Sequence, residues 1–252
     1  MTADIADATW FLLVIAPFVG SFLATVVVRL PLGESAAAGR SHCRSCGHQL
    51  TAIELLPLVS WLWQRGRCRA CGSTIGPLYP AFEVAALVIA AWSLSVVEGW
   101  PVWPTCALGW TLLTLAAIDW RDGILPDRLT LPLAVGGLVM AAAGSVFAIT
   151  DHLLGAAAGF AVFAGIAALY RRIRHREGLG LGDAKLLAAA GAWLTWAGLP
   201  SVVLIAAGSA LLVVGLRALV GERLSAGQRL PFGPTLCLGF WLTWLYGPLA
   251  LN

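Results

Sequence analysis

The chain has 252 residues, 59% of them hydrophobic and only 12% charged, with a mean hydropathy of +0.84. A soluble domain carries about 25% charged residues, so this composition excludes an ordinary soluble fold and specifies an integral membrane protein. The net charge is +3, and the 16 Lys and Arg sit in clusters, which points to orientation in a bilayer and away from nucleic-acid binding.

No Lys or Arg precedes Arg29, and Asp4 and Asp7 are acidic. A cleaved signal peptide needs a basic start, so Trp10 to Val28 is expected to be a retained span. It ends in Arg29-Leu30-Pro31, a charge followed by a helix breaker. Gly20-Ser21 within it is a small pair suited to close helix contact.

Residues 30–80 form a polar module rich in arginine, too short to bury much of a core unaided. Its cysteines fall in two CxxCG pairs, Cys43-Arg-Ser-Cys46-Gly and Cys68-Arg-Ala-Cys71-Gly. A glycine after the second cysteine lets the chain turn so that both sulfurs face one ion. Two such knuckles predict a tetrahedral zinc site with four thiolate ligands. Two disulfides are the competing reading, and they need an oxidising compartment. His42 and His48 flank the first pair as loop residues, since four thiolates complete the shell. The apolar stretch Ile53 to Trp63 is expected to pack over the knuckles or lie on the membrane surface.

Seven further apolar runs follow: Phe82–Val97, Val102–Ile118, Leu129–Ile149, Leu153–Tyr170, Leu186–Trp196, Ser201–Leu216 and Thr235–Leu249. Most approach the roughly 20 residues that a bilayer core requires. The fold class is therefore an all-α polytopic membrane protein of about eight transmembrane helices, with a small zinc-binding module inserted after the first. It divides into a first helix at 1–29, the module at 30–80 and a seven-helix core at 81–252. The turns at 98–101, 151–152 and 197–200 fall on one side, and every Lys and Arg falls on the other or at its boundary. By the positive-inside pattern both termini are outside and the module is cytoplasmic, where thiols stay reduced.

The remaining acids on the cytoplasmic side are Glu83, Asp119, Asp122, Asp127, Glu177, Asp183 and Glu222. Asp119 directly follows one span. Asp183, in Gly178-Leu-Gly180-Leu-Gly182-Asp183-Ala-Lys185, opens another. An ionisable residue at a span's edge is a functional candidate by default, and the glycines remove bulk beside it. Two carboxylates sharing a site cannot both ionise, so one activates water while the other, protonated, polarises a peptide carbonyl. The plain alternative is that the acids mark the membrane boundary and pair with Arg121 and Lys185. There is no HExxH and no GxSxG. Cys106 and Cys237 read as small hydrophobes.

The motifs GSFLATVVVRLP (20–31), SHCRSCGHQL (41–50), RGRCRACGSTIGPLYPAFE (65–83), IDWRDGILPDRLTLP (118–132), GLGDAKLLAAAGAW (180–193) and PFGPTLCLG (231–239) occur in this order. Together they resemble the bacterial prepilin peptidases, GxGD-type membrane aspartyl proteases of the type IV leader peptidase family. The resemblance runs from Gly20 to about Phe240. It implies that Asp119 and Asp183 are the catalytic aspartates. It also implies cleavage, after a glycine, of the basic leader of type IV prepilins or type II secretion pseudopilins at the inner membrane's cytoplasmic face. N-methylation of the new amino terminus with S-adenosylmethionine is then expected. One departure is Ala24, where the family's first motif commonly has Asn. Gly180 and Gly182 are expected to leave room for extended substrate backbone, and Glu83, Asp122 and Asp127 to attract the leader's lysines near Lys185. A peptidase-only enzyme with a structural zinc module, or a membrane transporter or assembly scaffold, are the other classes. Acids confined to the membrane edge weigh against transport.

Overall fold

The structure, a computed structural model, describes residues 2–144, 149–174, 180–220 and 231–249, and side chains from Trp10 onward within these, except that of Arg174. Seven long helices account for most of it: α1 (Thr2–Arg29), α3 (Leu78–Val96), α4 (Val102–Asp122), α5 (Asp127–Gly144), α6 (Ile149–Arg174), α7 (Leu181–Leu219) and α8 (Gly233–Tyr246). A short helix, α2 (Val59–Trp63), lies in the module. Among the described residues, five stretches are long and apolar enough to cross a membrane: Trp10–Leu32, Leu78–Val96, Val102–Asp122, Ile149–Ile173 and Leu181–Leu219. The fold is an all-α, multi-pass membrane protein. α8, at 14 residues, rises about 21 Å at 1.5 Å per residue, less than the roughly 30 Å hydrocarbon core.

Several boundaries differ from the sequence reading. α4 does not stop at Ile118 but runs through Asp122, so Asp119 lies in its last turn and not in a loop. Asp151 and His152, expected as a turn, belong to the start of α6. The runs 186–196 and 201–216 are joined in one 39-residue element, α7. Their expected turn at 197–200 is helical, and the break sits earlier, at Thr195 with φ 62° and ψ 179°. A β-branched residue in that conformation is a genuine outlier, and it marks where α7 kinks. Gly178, Glu177 and Glu222 lie outside the described residues.

The contacts divide the chain into two compact units, Met1–Trp110 and Thr111–Asn252. In the first, α1 packs along α3. Gly20 makes this possible, because a Cβ there would collide with the Phe82 carbonyl and the Glu83 backbone. Leu12, Ala16, Ala90, Val102 and Cys106 form the buried cluster beneath, and Trp110 Nε1 donates to the Ala86 carbonyl at 3.0 Å. Ala24 is fully buried, so a small apolar side chain fits where the resemblance expects Asn.

The second unit is built around the first half of α7, which packs against α5, α6 and α8. Leu186, Leu187, Ala189, Ala190, Ala192 and Trp193 are all buried. A helix covered on every side carries no polar stripe, which is why this run reads as almost wholly apolar. Backbones meet closely at Gly155 and Gly191, where neither residue has room for a Cβ. Trp193 closes the packing: its Nε1 donates to the Leu133 carbonyl at 2.8 Å, and its ring meets Trp244 edge-on at 5.0 Å. Outward-facing Val135, Val139, Phe160, Val162 and Ile166 are exposed, as lipid-facing residues should be.

Candidate functional site

The second unit gathers the two aspartates. Asp119 comes from the last turn of α4 and Asp183 from the first turn of α7. Both side chains are buried among apolar neighbours, at 8% and 9% exposure. The charge of Asp119 reaches Asp183. Each holds one backbone donor. The Gly180 N–H donates to Asp183 Oδ2 at 3.2 Å, and the Gly233 N–H, at the start of α8, donates to Asp119 Oδ2 at 3.0 Å. A backbone N–H aimed at a carboxylate makes a charge-assisted hydrogen bond and fixes the oxygen that accepts it.

The two glycines beside Asp183 differ in their surroundings. Gly180 has φ −77°, a conformation open to any residue, and its Cβ position meets nothing closer than Asp183 Oδ2 at 3.5 Å. A Cβ on Gly182 would press on the Leu125 side chain at 3.0 Å, so this glycine makes room for Leu125. The glycine in closest contact with the aspartates is Gly233. A Cβ there would lie 2.5 Å from Asp119 Oδ2 and 2.7 Å from its Cγ. Within PFGPTLCLG, Gly233 carries no local mark of a part in the site. The nearest signal is a Gly-Pro pair opening the last apolar run, where Pro starts a helix and frees N–H groups pointing outward. Cys237, one turn on in α8, also lies within electrostatic reach of both aspartates.

Asp122 and Asp127 lie in the same unit, and both are engaged. Arg121 Nε pairs with Asp122 at 3.0 Å, and Lys185 Nζ reaches both oxygens of Asp127 at 2.6 and 2.8 Å. The latter ties the start of α5 to the start of α7. The expected pairing of acids with Arg121 and Lys185 therefore occurs, but through Asp122 and Asp127. Glu83 belongs to the first unit. It is buried, and its Oε2 accepts the Leu58 N–H at 2.7 Å.

The cysteine module also belongs to the first unit. Its two knuckles are built alike. In the first, the Cys43 N–H donates to the His48 carbonyl at 2.8 Å and the Gly47 N–H to the Cys43 carbonyl at 2.9 Å. In the second, Cys68 and Gly72 make the same bonds to Ser73 and Cys68, each at 2.8 Å. Gly47 and Gly72 sit at φ 74° and 71°, the left-handed region that glycine enters without steric cost. All four sulfurs are free thiols within 4.8 Å of one another. A tetrahedral Zn–S bond of about 2.3 Å requires sulfurs roughly 3.8 Å apart, and Cys43 and Cys71 are at 3.9 Å. The donor set and spacing thus fit a thiophilic metal ion held by Cys43, Cys46, Cys68 and Cys71. The Ser73 hydroxyl hydrogen-bonds both Cys43 and Cys71, holding the Cys43 thiol down at about 5 and lowering that of Cys71. Thiolates are the metal-binding form.

Comparison with known proteins agrees with this division. Residues 14–97 match the bacterial peptidase A24 N-terminal domain, and residues 106–216 match the type IV leader peptidase family. The chain is 40% identical over 210 residues to a prepilin leader peptidase/N-methyltransferase of Aeromonas hydrophila, covering 82% of this chain and 72% of the relative. It is 40% identical over 266 residues to one of Burkholderia pseudomallei, covering 94% and 85%. It is 35% identical over 263 residues to one of Stutzerimonas stutzeri, covering 93% and 89%. No solved structure matches. Motif order, helical architecture and identity along most of the chain lead to one conclusion: this protein is a membrane enzyme belonging to the type IV leader peptidase family.

Proposed function

We propose that this chain removes the basic leader of type IV prepilins or type II secretion pseudopilins at the cytoplasmic face of the inner membrane, using Asp119 and Asp183. It then N-methylates the new amino terminus with S-adenosylmethionine. The observation that carries the cleavage half is the burial, within one unit, of two carboxylates from separate helices, each with one oxygen held by a backbone N–H and with the charge of Asp119 reaching Asp183. Two acids so placed share a proton. The ionised one accepts a proton from water as that water's oxygen adds to the scissile carbonyl. The protonated one hydrogen-bonds the carbonyl oxygen. The C–N bond then breaks, and the departing amine takes up a proton.

In this reading the chain crosses the bilayer about eight times, with α7 counted as two crossings around Thr195 and both termini periplasmic. The clustering of Lys and Arg supports that orientation. Residues 30–80 form a cytoplasmic module stapled by zinc, and 81–252 form the protease core. The ion would be held by the four thiolates and supply folding energy to a module with little core of its own. Asp127, half-exposed while paired with Lys185, and Asp122 lie where a basic leader would approach. Gly180 offers open backbone there, while Gly182 serves through Leu125.

The test is cleavage of a prepilin by membranes containing D119N or D183N at matched expression. Asparagine keeps the shape and still accepts from Gly233 or Gly180, but it cannot exchange the proton. Each variant should lose nearly all cleavage while still inserting. Near wild-type cutting by either would remove the dyad assignment. A labelled methyl donor in the same assay reads the second activity separately, and cleavage without any methyl transfer would reduce the enzyme to a peptidase.

A further inference from the structure

The first unit contains a cavity of about 260 Å³. Its walls are α1, the start of α3 and the cysteine module, and they include Ser21, Arg29, Glu54, Trp61, Tyr79 and Glu83. Two of these are buried carboxylates, Glu54 at 8% and Glu83 at 5% exposure. Neither has a Lys or Arg partner among the described residues. Glu83 Oε2 accepts the Leu58 N–H at 2.7 Å and a bond from the Ser21 hydroxyl. Glu54 Oε2 accepts the Thr51 N–H, the Thr51 hydroxyl and His48 Nε2. Its other oxygen, Oε1, is buried with no hydrogen-bond partner among the described residues. A buried carboxylate oxygen without a partner is costly and normally absent from a finished structure.

The cavity's own cations are turned elsewhere. Arg44 pairs with Glu34 at 3.5 Å, and Arg29 donates to the Ser35 carbonyl at 3.3 Å. The interior is therefore acidic and aromatic, with guanidinium groups along its wall. That combination suits a ligand having a positive centre, a flat ring and a carboxylate. Carboxylates and aromatic faces stabilise a cation that has no N–H of its own to donate. Trp61 and Tyr79 line the cavity, and an arginine that gave up its present partner could take a carboxylate bidentately.

We propose that this cavity holds the sulfonium methyl donor, with Glu54 and Glu83 serving its positive end. The proposal rests on the methyltransferase half of the function above. The transfer balances without a further reactant. The neutral terminal amine of the trimmed pilin attacks the methyl carbon. The C–S bond breaks, with its electron pair retained by sulfur as a neutral thioether. The methylated ammonium then releases one proton to water. Two buried acids favour the charged donor over the uncharged product, so they also aid product release.

The test is equilibrium binding to the purified, metal-loaded full chain in detergent. The probes are S-adenosylmethionine, its uncharged thioether product, and an analogue with an ammonium in place of the sulfonium. Wild-type protein should prefer both cationic probes over the thioether by about tenfold or more, the equivalent of about 1.4 kcal/mol. E54Q and E83Q should each remove most of that preference while leaving thioether affinity and zinc content unchanged. Ultraviolet crosslinking of labelled donor to wild-type protein supplies a readout independent of any variant, and label should appear within residues 50–83. If the enzyme binds donor and transfers methyl but both variants keep the full preference, or the label falls only within 111–252, the location is wrong and the methyltransferase activity stands. If wild-type protein cuts prepilin yet neither binds donor nor transfers methyl, the methyltransferase activity itself fails, and this proposal with it.

Discussion

Replacing Gly233 with alanine tests how the dyad is held. The added Cβ would lie 2.5 Å from Asp119 Oδ2, and ordinary contact begins at 3.4 Å, so the carboxylate must retreat by 3.4 − 2.5, or about 0.9 Å. The atoms in the way belong to one short side chain: rotation can move Oδ2 and Cγ aside, while its Cβ, at 3.0 Å, needs the backbone to give by a few tenths of an ångström. That side chain can rotate, and alanine suits a helix's first turn, so the protein should fold and insert normally. The alanine N–H remains able to donate, which makes the change one of position and not of hydrogen-bond inventory. A 1 Å misplacement of a catalytic group can cost about 100-fold in rate, equal to about 2.7 kcal/mol of barrier. The expected result for G233A is a fall in kcat/KM for prepilin cleavage of about 100-fold, carried mostly by kcat. Gly208→Ala is the control. It too lies in a helix, but nothing approaches its Cβ position within 4 Å, and cleavage should be unchanged. Cleavage by G233A within about threefold of wild type would refute the reasoning, since it would mean that Asp119 tolerates a displacement of its whole carboxylate.

Cleavage by the wild-type enzyme should follow a bell-shaped pH profile belonging to the coupled aspartates as a pair; a profile flat across the acid range would separate them. Lys185→Met removes a partly exposed ion pair of the kind worth about 1 kcal/mol or less, so cleavage should fall by less than about tenfold, and a complete loss would make Lys185 part of the chemistry. Cys68→Ser should lower bound zinc and loosen residues 40–75, as metal analysis and proteolysis of that segment would show; unaltered metal content would reject the four-thiolate site. Ser73→Ala removes the hydroxyl that favours thiolate at Cys43 and Cys71. Protons compete with the metal for the thiolates, so bound metal is lost on acidification. Without the hydroxyl the thiols protonate more readily, so metal release should begin at higher pH, and an unmoved release curve would contradict the assigned role.

The sequence by itself determined the features that local chemistry controls. Apolar runs of span length specify membrane helices, because lipid leaves the backbone no other partner. The paired CxxCG knuckles were legible for a similar reason: each uses ligands three residues apart and a glycine in the left-handed region, and Gly47 and Gly72 adopt that conformation. The close contact at Gly20 was also readable, since a Gly-Ser pair within a span leaves few alternatives. Tertiary structure decided the rest, where partners are far apart along the chain. Nothing near Asp119 shows that its oxygen will meet the N–H of Gly233, or that Gly182 spares its Cβ for Leu125. The end of α4 moved past Asp119 because a buried acid with a distant backbone donor can remain helical, whereas hydropathy alone marks it as the edge. Thr195 carries no breaker signal, yet α7 bends there. Glu54 and Glu83 are 29 residues apart, and nothing in the sequence links them until the tertiary structure buries both along one cavity. A residue's type sets what it can do, but its desolvation and its partners depend on which distant backbone arrives beside it.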